Sequence, residues 1–167
     1  QYFDVVRQSE AEKEWGLTYL FPEELLSSSD IISYHVPKTC FTRHLINQTS
    51  LSKMRPDALL INISRGDVQD ENAIVKALNS GQISGAGLDV FEVEPLPKNS
   101  PLCKLNNVVL TPHSSPDREC YSRTVKHALD NLLRVSKGVQ PQALAVDHEE
   151  ITRQFLERFP EVKLAAP

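Results

Sequence analysis

Apolar and polar positions change period along this chain, and the changes mark its elements. Ala58-Leu59-Leu60-Ile61-Asn62-Ile63 is a near-continuous apolar run, the pattern of a strand buried on both faces. Ile83 to Phe91 reads the same way, with small residues at Gly85, Ala86 and Gly87. Asp30 to His35 and Asn107 to Thr111 are shorter strand candidates, and Val36-Pro37 closes the first. Tyr2 to Val6 is an extended stub, and Leu17 to Phe21 is a further short strand. Helical patterns lie between them. Ser9 to Trp15 is charged, with Gly16 where a C-cap belongs. Pro22 to Ser28 carries Pro in its first turn. Cys40 to Ile46 and Leu51 to Met54 predict short helical turns, the second behind an N-cap at Ser50. Asp70 to Asn79 predicts a helix with Asp70 as N-cap, a stripe of Ile74, Val75 and Leu78, and Gly81 after its end. From about Pro116 to Lys137, Tyr121, Val125, Ala128, Leu129, Leu132 and Leu133 recur at three- and four-residue steps. That is a long amphipathic helix, closed by Gly138.

Strands alternating with helices over short connections predict parallel strands and right-handed crossovers. The fold class is α/β, with a doubly wound parallel sheet and a C-terminal helical extension. The main domain is expected to end near residue 138. Residues 139–167 begin with Val139-Gln140-Pro141 and include a helical pattern bearing Ile151, Phe155 and Leu156. This tail is expected to leave the main domain.

Composition narrows the class. Of 167 residues, 40% are apolar and 24% charged, which is ordinary for a globular chain and excludes wholesale disorder. A net charge of -4 argues against nucleic acid or an anionic membrane as partner. No apolar run reaches the length of a spanning helix. Cys40, Cys103 and Cys120 are odd in number and far apart, which disfavours a disulfide framework and a metal site and fits a cytoplasmic setting.

In an open parallel sheet, chemistry gathers at the carboxyl ends of the strands. Four such ends carry His35-Val36-Pro37-Lys38-Thr39, the run Asn62 to Glu71, Asp89 to Pro95, and Thr111-Pro112-His113. One edge therefore presents an Arg, an Asp, a Glu and a His. These motifs, together with Gly85 to Leu88, resemble the D-isomer-specific 2-hydroxyacid dehydrogenase family over roughly Gln1 to Val146. The resemblance implies a Rossmann-like fold, NAD as cofactor, and interconversion of a D-2-hydroxy acid and its 2-oxo acid. It implies Arg65, Glu94 and His113 as catalytic residues. A guanidinium holds a carboxylate by two parallel hydrogen bonds. An imidazole moves a proton near neutral pH, and a carboxylate beside it favours the protonated form. The implied cofactor contacts are Asp4, Val36, Pro37, Thr39, Ile63, Ser64, Arg65, Asp89, His113 and Ser115. Asp4 matches the acid placed against the adenosine ribose, which favours NAD over NADP. The resemblance further implies a homodimer for the intact protein. A second branch of relatives consists of NAD-sensing corepressors, so a binding protein, or an inactive truncated remnant, is the alternative reading.

Read from the residues alone, plainer roles stay open. His113 could cap the following helix, Arg65 could pair with Asp67 or Glu71 at the surface, and Glu92 competes with Glu94. Two departures stand out. Gln69 is polar where relatives often carry an apolar residue, and Ser114-Ser115-Pro116 stands where they often carry Gly or Ala, with Ser115 an N-cap candidate. Only six glycines are present, and no G-x-G-x-x-G occurs. By resemblance, the first strand with its phosphate-holding loop and an N-terminal substrate segment are missing, so the sheet is incomplete. The chain on its own is therefore expected to be a fragment that is marginally stable and binds NAD poorly.

Overall fold

The computed structural model describes residues 1–114, 118–142 and 148–162. It divides into two compact units. The first comprises Gln1–Pro112 and the segment from His148; the second begins at His113. The boundary expected near 138 therefore does not coincide with the observed division.

In the first unit, four strands form one sheet: β1 (Ile31–Tyr34), β2 (Leu59–Asn62), β3 (Gly85–Leu88) and β4 (Val108–Leu110). All pairings are parallel and the spatial order is β1-β2-β3-β4. Ile32 aligns with Leu60, and Leu60 with Ala86. Between residues 1 and 112 four α-helices accompany them: α1 (Ser9–Trp15), α2 (Pro22–Ser28), α3 (Gln48–Lys53) and α4 (Glu71–Ser80). Local chemistry sets their ends. Asp70 caps α4 by accepting from the Ala73 N–H at 3.0 Å, and Gly81 ends it at φ 71°. Gly16 ends α1 at φ 66°.

The core lies on one face of the sheet. Leu60, Ile46, Leu51, Ile74, Ala77 and Ile83 are fully buried there. The expectation of strands covered on both faces holds only in part. Leu60 and Asn62 are sealed, while Ile31, Leu59 and Val109 on the opposite face are 62%, 40% and 69% exposed. The reason is topological. Each crossover advances the sheet in the same direction, and right-handed crossovers that all step one way stack their helices on one face.

Other expectations are corrected by local hydrogen bonding. The cap of α3 is Asn47, not Ser50. Asn47 accepts from the Thr49 and Ser50 N–H groups, and Ser50 answers from the third position of the capping box. Residues 40–44 form a turn rather than a helix. Thr42 Oγ1 holds it by donating to the Pro37 carbonyl at 2.7 Å. The stub at Tyr2 and the strand expected at Leu17 shrink to one parallel bridge, Tyr2 with Tyr19, outside the four-stranded sheet.

The tail also departs from expectation. Helix α6 (His148–Arg158) belongs to the first unit. Phe155 is 7% exposed and meets Phe3 edge-on, and Phe159 meets Phe21. Tyr19 joins the cluster against Phe3 and Phe21. Burial of the aromatic i, i+4 pair Phe155 and Phe159 holds the helix in place. In the second unit, α5 (Arg118–Ser136) realises the predicted amphipathic helix, although the start expected at Pro116 lies outside the described residues.

A small polar clasp fixes the N-terminal segment. Arg7 grips the Glu12 carboxylate through Nε at 2.8 Å and Nη2 at 2.9 Å, and the Tyr2 hydroxyl donates to the same carboxylate at 2.7 Å. These donors, the guanidinium first, lower the Glu12 pKa to about 2. A depressed folded-state value means a contribution that is present above the ordinary value of 4.5 and fades as pH falls toward about 2. A carboxyl-carbon NMR titration is expected to place the Glu12 midpoint near 2, and Arg7→Ala should return it toward the ordinary value. An unshifted wild-type midpoint would show that the clasp does not form.

Candidate active site

The carboxyl ends of the parallel strands carry the candidate residues. At the ends of β1 and β2, His35, Val36, Pro37, Lys38, Ile63, Ser64 and Arg65 line an open cleft of about 530 Å³. Five of the predicted residues thus meet in one place: Val36, Pro37, Ile63, Ser64 and Arg65. Val36 packs partly against the core, while Ile63 offers an apolar surface that is 51% exposed. Thr39 is also predicted, but its side chain is buried and spent on the turn. Its Oγ1 accepts from the Phe41 N–H at 3.2 Å and bonds Thr42 Oγ1 at 3.1 Å. Thr39 shapes this loop from within.

Arg65 is exposed, and its Nη1 donates to the Ser64 carbonyl at 2.6 Å. Its potential acidic partners are engaged elsewhere. Asp67 pairs with Lys38. Glu71 accepts from the Glu92 N–H at 2.7 Å, and Glu92 accepts from the Glu71 N–H at 2.9 Å. Burial raises the Glu71 pKa. Among the described residues Arg65 therefore forms no ion pair, and it is one of the residues that line the cleft.

The loop behind Arg65 is built from buried amides. Asn62, at the end of β2, is fully buried. Its Oδ1 accepts from the Ser64 N–H at 3.0 Å and from the Ser64 hydroxyl at 2.7 Å. Its Nδ2 donates to Gln69 Oε1 at 2.8 Å and to the Arg65 carbonyl at 3.3 Å. Gly66 then passes against the neighbouring loop. A Cβ there would lie 1.7 Å from the Phe91 carbonyl oxygen, so only glycine fits. Neither Asn62 nor Gly66 stands out from the sequence as a candidate. The available signal was one polar residue closing a buried apolar run, followed by a glycine with no turn to explain it.

At the end of β3, Asp89 accepts a short hydrogen bond from the Thr111 hydroxyl, which joins it to the loop after β4. Glu94 is exposed, and its carboxylate accepts from the Phe91 N–H at 3.0 Å. The peptide between Glu94 and Pro95 is cis. His113 is exposed and opens the second unit, with its backbone in the left-handed region at φ 50°. Asp4 is not among the residues that line this cleft; it belongs to the N-terminal segment, where its Oδ1 accepts from the Val6 N–H at 3.0 Å. Ser115 lies outside the described residues.

Four parallel strands with candidate residues in the loops at their carboxyl ends have the architecture of a dinucleotide-binding α/β domain. Residues 1–115 match the family described as D-isomer specific 2-hydroxyacid dehydrogenase, NAD binding domain. The chain belongs to that family. It is 46% identical over 144 residues to a glyoxylate reductase of Korarchaeum cryptofilum, covering 86% of this chain and 43% of that protein. It is 52% identical over 147 residues to a glyoxylate reductase of Pyrococcus horikoshii, again 86% and 43%. Among solved structures, it resembles the NAD-complexed D-isomer specific 2-hydroxyacid dehydrogenase of Lactobacillus delbrueckii ssp. bulgaricus. That match has 35% identity and a TM-score of 0.74, over 85% of this chain and 47% of the other. A relative from Xanthobacter autotrophicus was solved with NADPH, at 38% identity and a TM-score of 0.67, over 77% of this chain and 52% of that one. The chain spans less than half the length of the glyoxylate reductases it matches.

Gly66 gives a direct test of the loop packing. Gly66→Ala is expected to lose about 3 kcal/mol in urea unfolding, because the clash is with backbone that cannot swing away. An unchanged midpoint would contradict the close approach.

Proposed function

We propose that the protein carrying this chain reduces a small 2-oxo acid to its D-2-hydroxy acid, and catalyses the reverse oxidation, with a nicotinamide cofactor. The observation that carries the reading is Arg65, a cation with no ion-pair partner among the described residues, lining a cleft formed by two parallel strand ends. A guanidinium so placed suits a carboxylate. The apolar Ile63 surface, Val36 and Pro37 fit the flat faces of a dinucleotide in the same cleft. When bound, NADH supplies the hydride for the carbonyl carbon.

The remaining roles belong to the chain. Arg65 orients the substrate by its carboxylate. His113 gives a proton to the carbonyl oxygen in reduction and takes it back in oxidation. Glu94 is the carboxylate that the family resemblance assigns to support His113. Asp89 and Ser64 border the nicotinamide end, Thr39 maintains the loop beneath the cleft, and Ser115 completes the set by family resemblance. Asp4 meets the adenosine ribose and selects NAD over NADP. Relatives named glyoxylate reductase make glyoxylate the first substrate to try, with hydroxypyruvate and pyruvate beside it.

The exposed face of α5 supports a homodimer. Tyr121, Leu129, Leu132 and Leu133 are each more than half exposed on a helix of 19 residues, an apolar stripe that favours burial against a second copy. No helix among the described residues is long and apolar enough to cross a membrane. The exposed thiols of Cys40 and Cys103 suit a reducing, cytoplasmic setting. No nucleic-acid partner is proposed, given the net charge of -4.

Two experiments test this reading. The full-length protein should oxidise NADH with at least one of the three 2-oxo acids. Arg65→Ala and His113→Ala should each lower kcat/KM by about a hundredfold or more while NADH still binds. Tight NADH binding without turnover would favour a cofactor-sensing binding protein instead. Sedimentation should show a dimer that Leu129→Glu converts to monomer; a monomeric wild type would refute the pairing.

A further inference from the structure

Gln69 is a side chain that the proposed chemistry does not use, yet it is fully buried. A buried amide is stabilising only when its polar atoms are paired. Here both are. Its Oε1 accepts from Asn62 Nδ2 at 2.8 Å, and its Nε2 donates to the Val90 carbonyl at 2.9 Å. The two partners lie on different loops. Asn62 ends β2 and also donates to the Arg65 carbonyl. Val90 follows β3 and immediately precedes Phe91, whose N–H holds the Glu94 carboxylate. Gln69 is thus a buried side-chain link between the loop that presents Arg65 and the turn that presents Glu94.

The main chain is closed around the same link. The Gln69 N–H donates to the Gly66 carbonyl at 3.0 Å, and Gly66 lies against the Phe91 carbonyl. Beyond Gln69, the reciprocal bonds of Glu71 and Glu92 tie the two loops again. Those later bonds involve exposed or half-exposed groups, whereas the amide link is sealed from water. A sealed link sets the spacing of the loops; exposed links follow it.

We propose that Gln69 is a positioning residue that fixes Arg65 relative to Glu94, so that substrate carboxylate binding depends on a side chain that never touches substrate. This rests on the 2-oxo acid reading given above. An apolar residue at 69 keeps the burial but releases both hydrogen bonds, leaving the Val90 carbonyl and one Asn62 proton without their partner. The Arg65 loop then loses its buried side-chain tie to the β3 side and keeps only the Gly66 approach and the Glu71–Glu92 bonds.

The test uses the full-length protein with Gln69→Met, nearly the same size without the amide. A second variant, Leu78→Ala, serves as a control for lost stability, since Leu78 is buried in α4 and bonds neither loop. Three quantities are read on each: KM for the 2-oxo acid, KM for NADH, and the calorimetric affinity for oxalate, a non-reducible carboxylate probe, in the presence of NADH. Gln69→Met is expected to raise the 2-oxo acid KM and weaken oxalate about tenfold, with the NADH KM within twofold of wild type. Leu78→Ala should lower Tm and leave all three unchanged. Unaltered oxalate affinity and KM in Gln69→Met, with wild-type turnover intact, would overturn the positioning role and leave the proposed reaction standing. A wild type that neither turns over a 2-oxo acid nor binds oxalate would overturn both. A Gln69→Met effect matched by Leu78→Ala would reduce Gln69 to a structural residue.

Discussion

Parallel alignment of four strands is the constraint on which the rest depends. Because β1 to β4 all run the same way, their carboxyl ends share one edge, and the loops bearing Val36, Arg65, Asp89 and Glu94 start from it. Because the sheet grows in one direction only, its helices collect on one face and the core with them. The other face is kept compact by the small residues of β3. A Cβ at Gly87 would lie 3.1 Å from Ile61 Cδ1, and one at Gly85 would lie 3.0 Å from Leu59 Cδ2. Glycine on the central strand makes room for the branched side chains of its neighbour, at a cost in strand propensity that the buried Leu60 face offsets.

Most of the architecture was legible because it rests on short-range signals. Asp70 and Gly81 bracket α4, and the run Ala58 to Ile63 specifies β2. What escaped depends on partners distant in sequence. Asn47 and Ser50 are both good caps, and only the reciprocal bonding shows which one begins α3. The tail helix reads as amphipathic, but its docking depends on Phe3 and Phe21, more than a hundred residues earlier. The same division applies to the site. Candidate residues could be picked out, and five of them share one cleft. Asn62 and Gly66 could not, and Gln69 stood out only as a polar residue in an apolar place, because their meaning lies in atoms of the adjoining loop.

The acidic residues around Arg65 show how such a loop keeps a cation available. Asp67, Asp70, Glu71 and Glu92 are all near it in sequence or in the adjoining loop. Asp67 is drawn to Lys38, Asp70 to a helix N-terminus, and the two glutamates to each other's backbone N–H groups. Backbone donors compete well for a carboxylate because they are fixed in place and lose no side-chain entropy. Burial raises the Glu71 pKa, and the Glu92 N–H acts against that rise. Glu92 takes part in this structural exchange, and the Glu94 carboxylate accepts the Phe91 N–H within its own turn.

Two histidines in this chain hold left-handed backbone, His44 at φ 48° and His113 at φ 50°. For a residue with a side chain this conformation costs about 1 kcal/mol or more, so each must be held by its surroundings. His44 has a visible reason: its N–H donates to the Asp67 carbonyl at 2.8 Å, in the Arg65 loop, and Ile46 bonds Val68 just after it. The strain there helps to pin the loop after β1 to the loop after β2. His113 sits where the chain leaves the loop after β4, directly behind Pro112. A proline fixes the backbone before the turn, and the left-handed residue then redirects it. A glycine would make that turn at less cost.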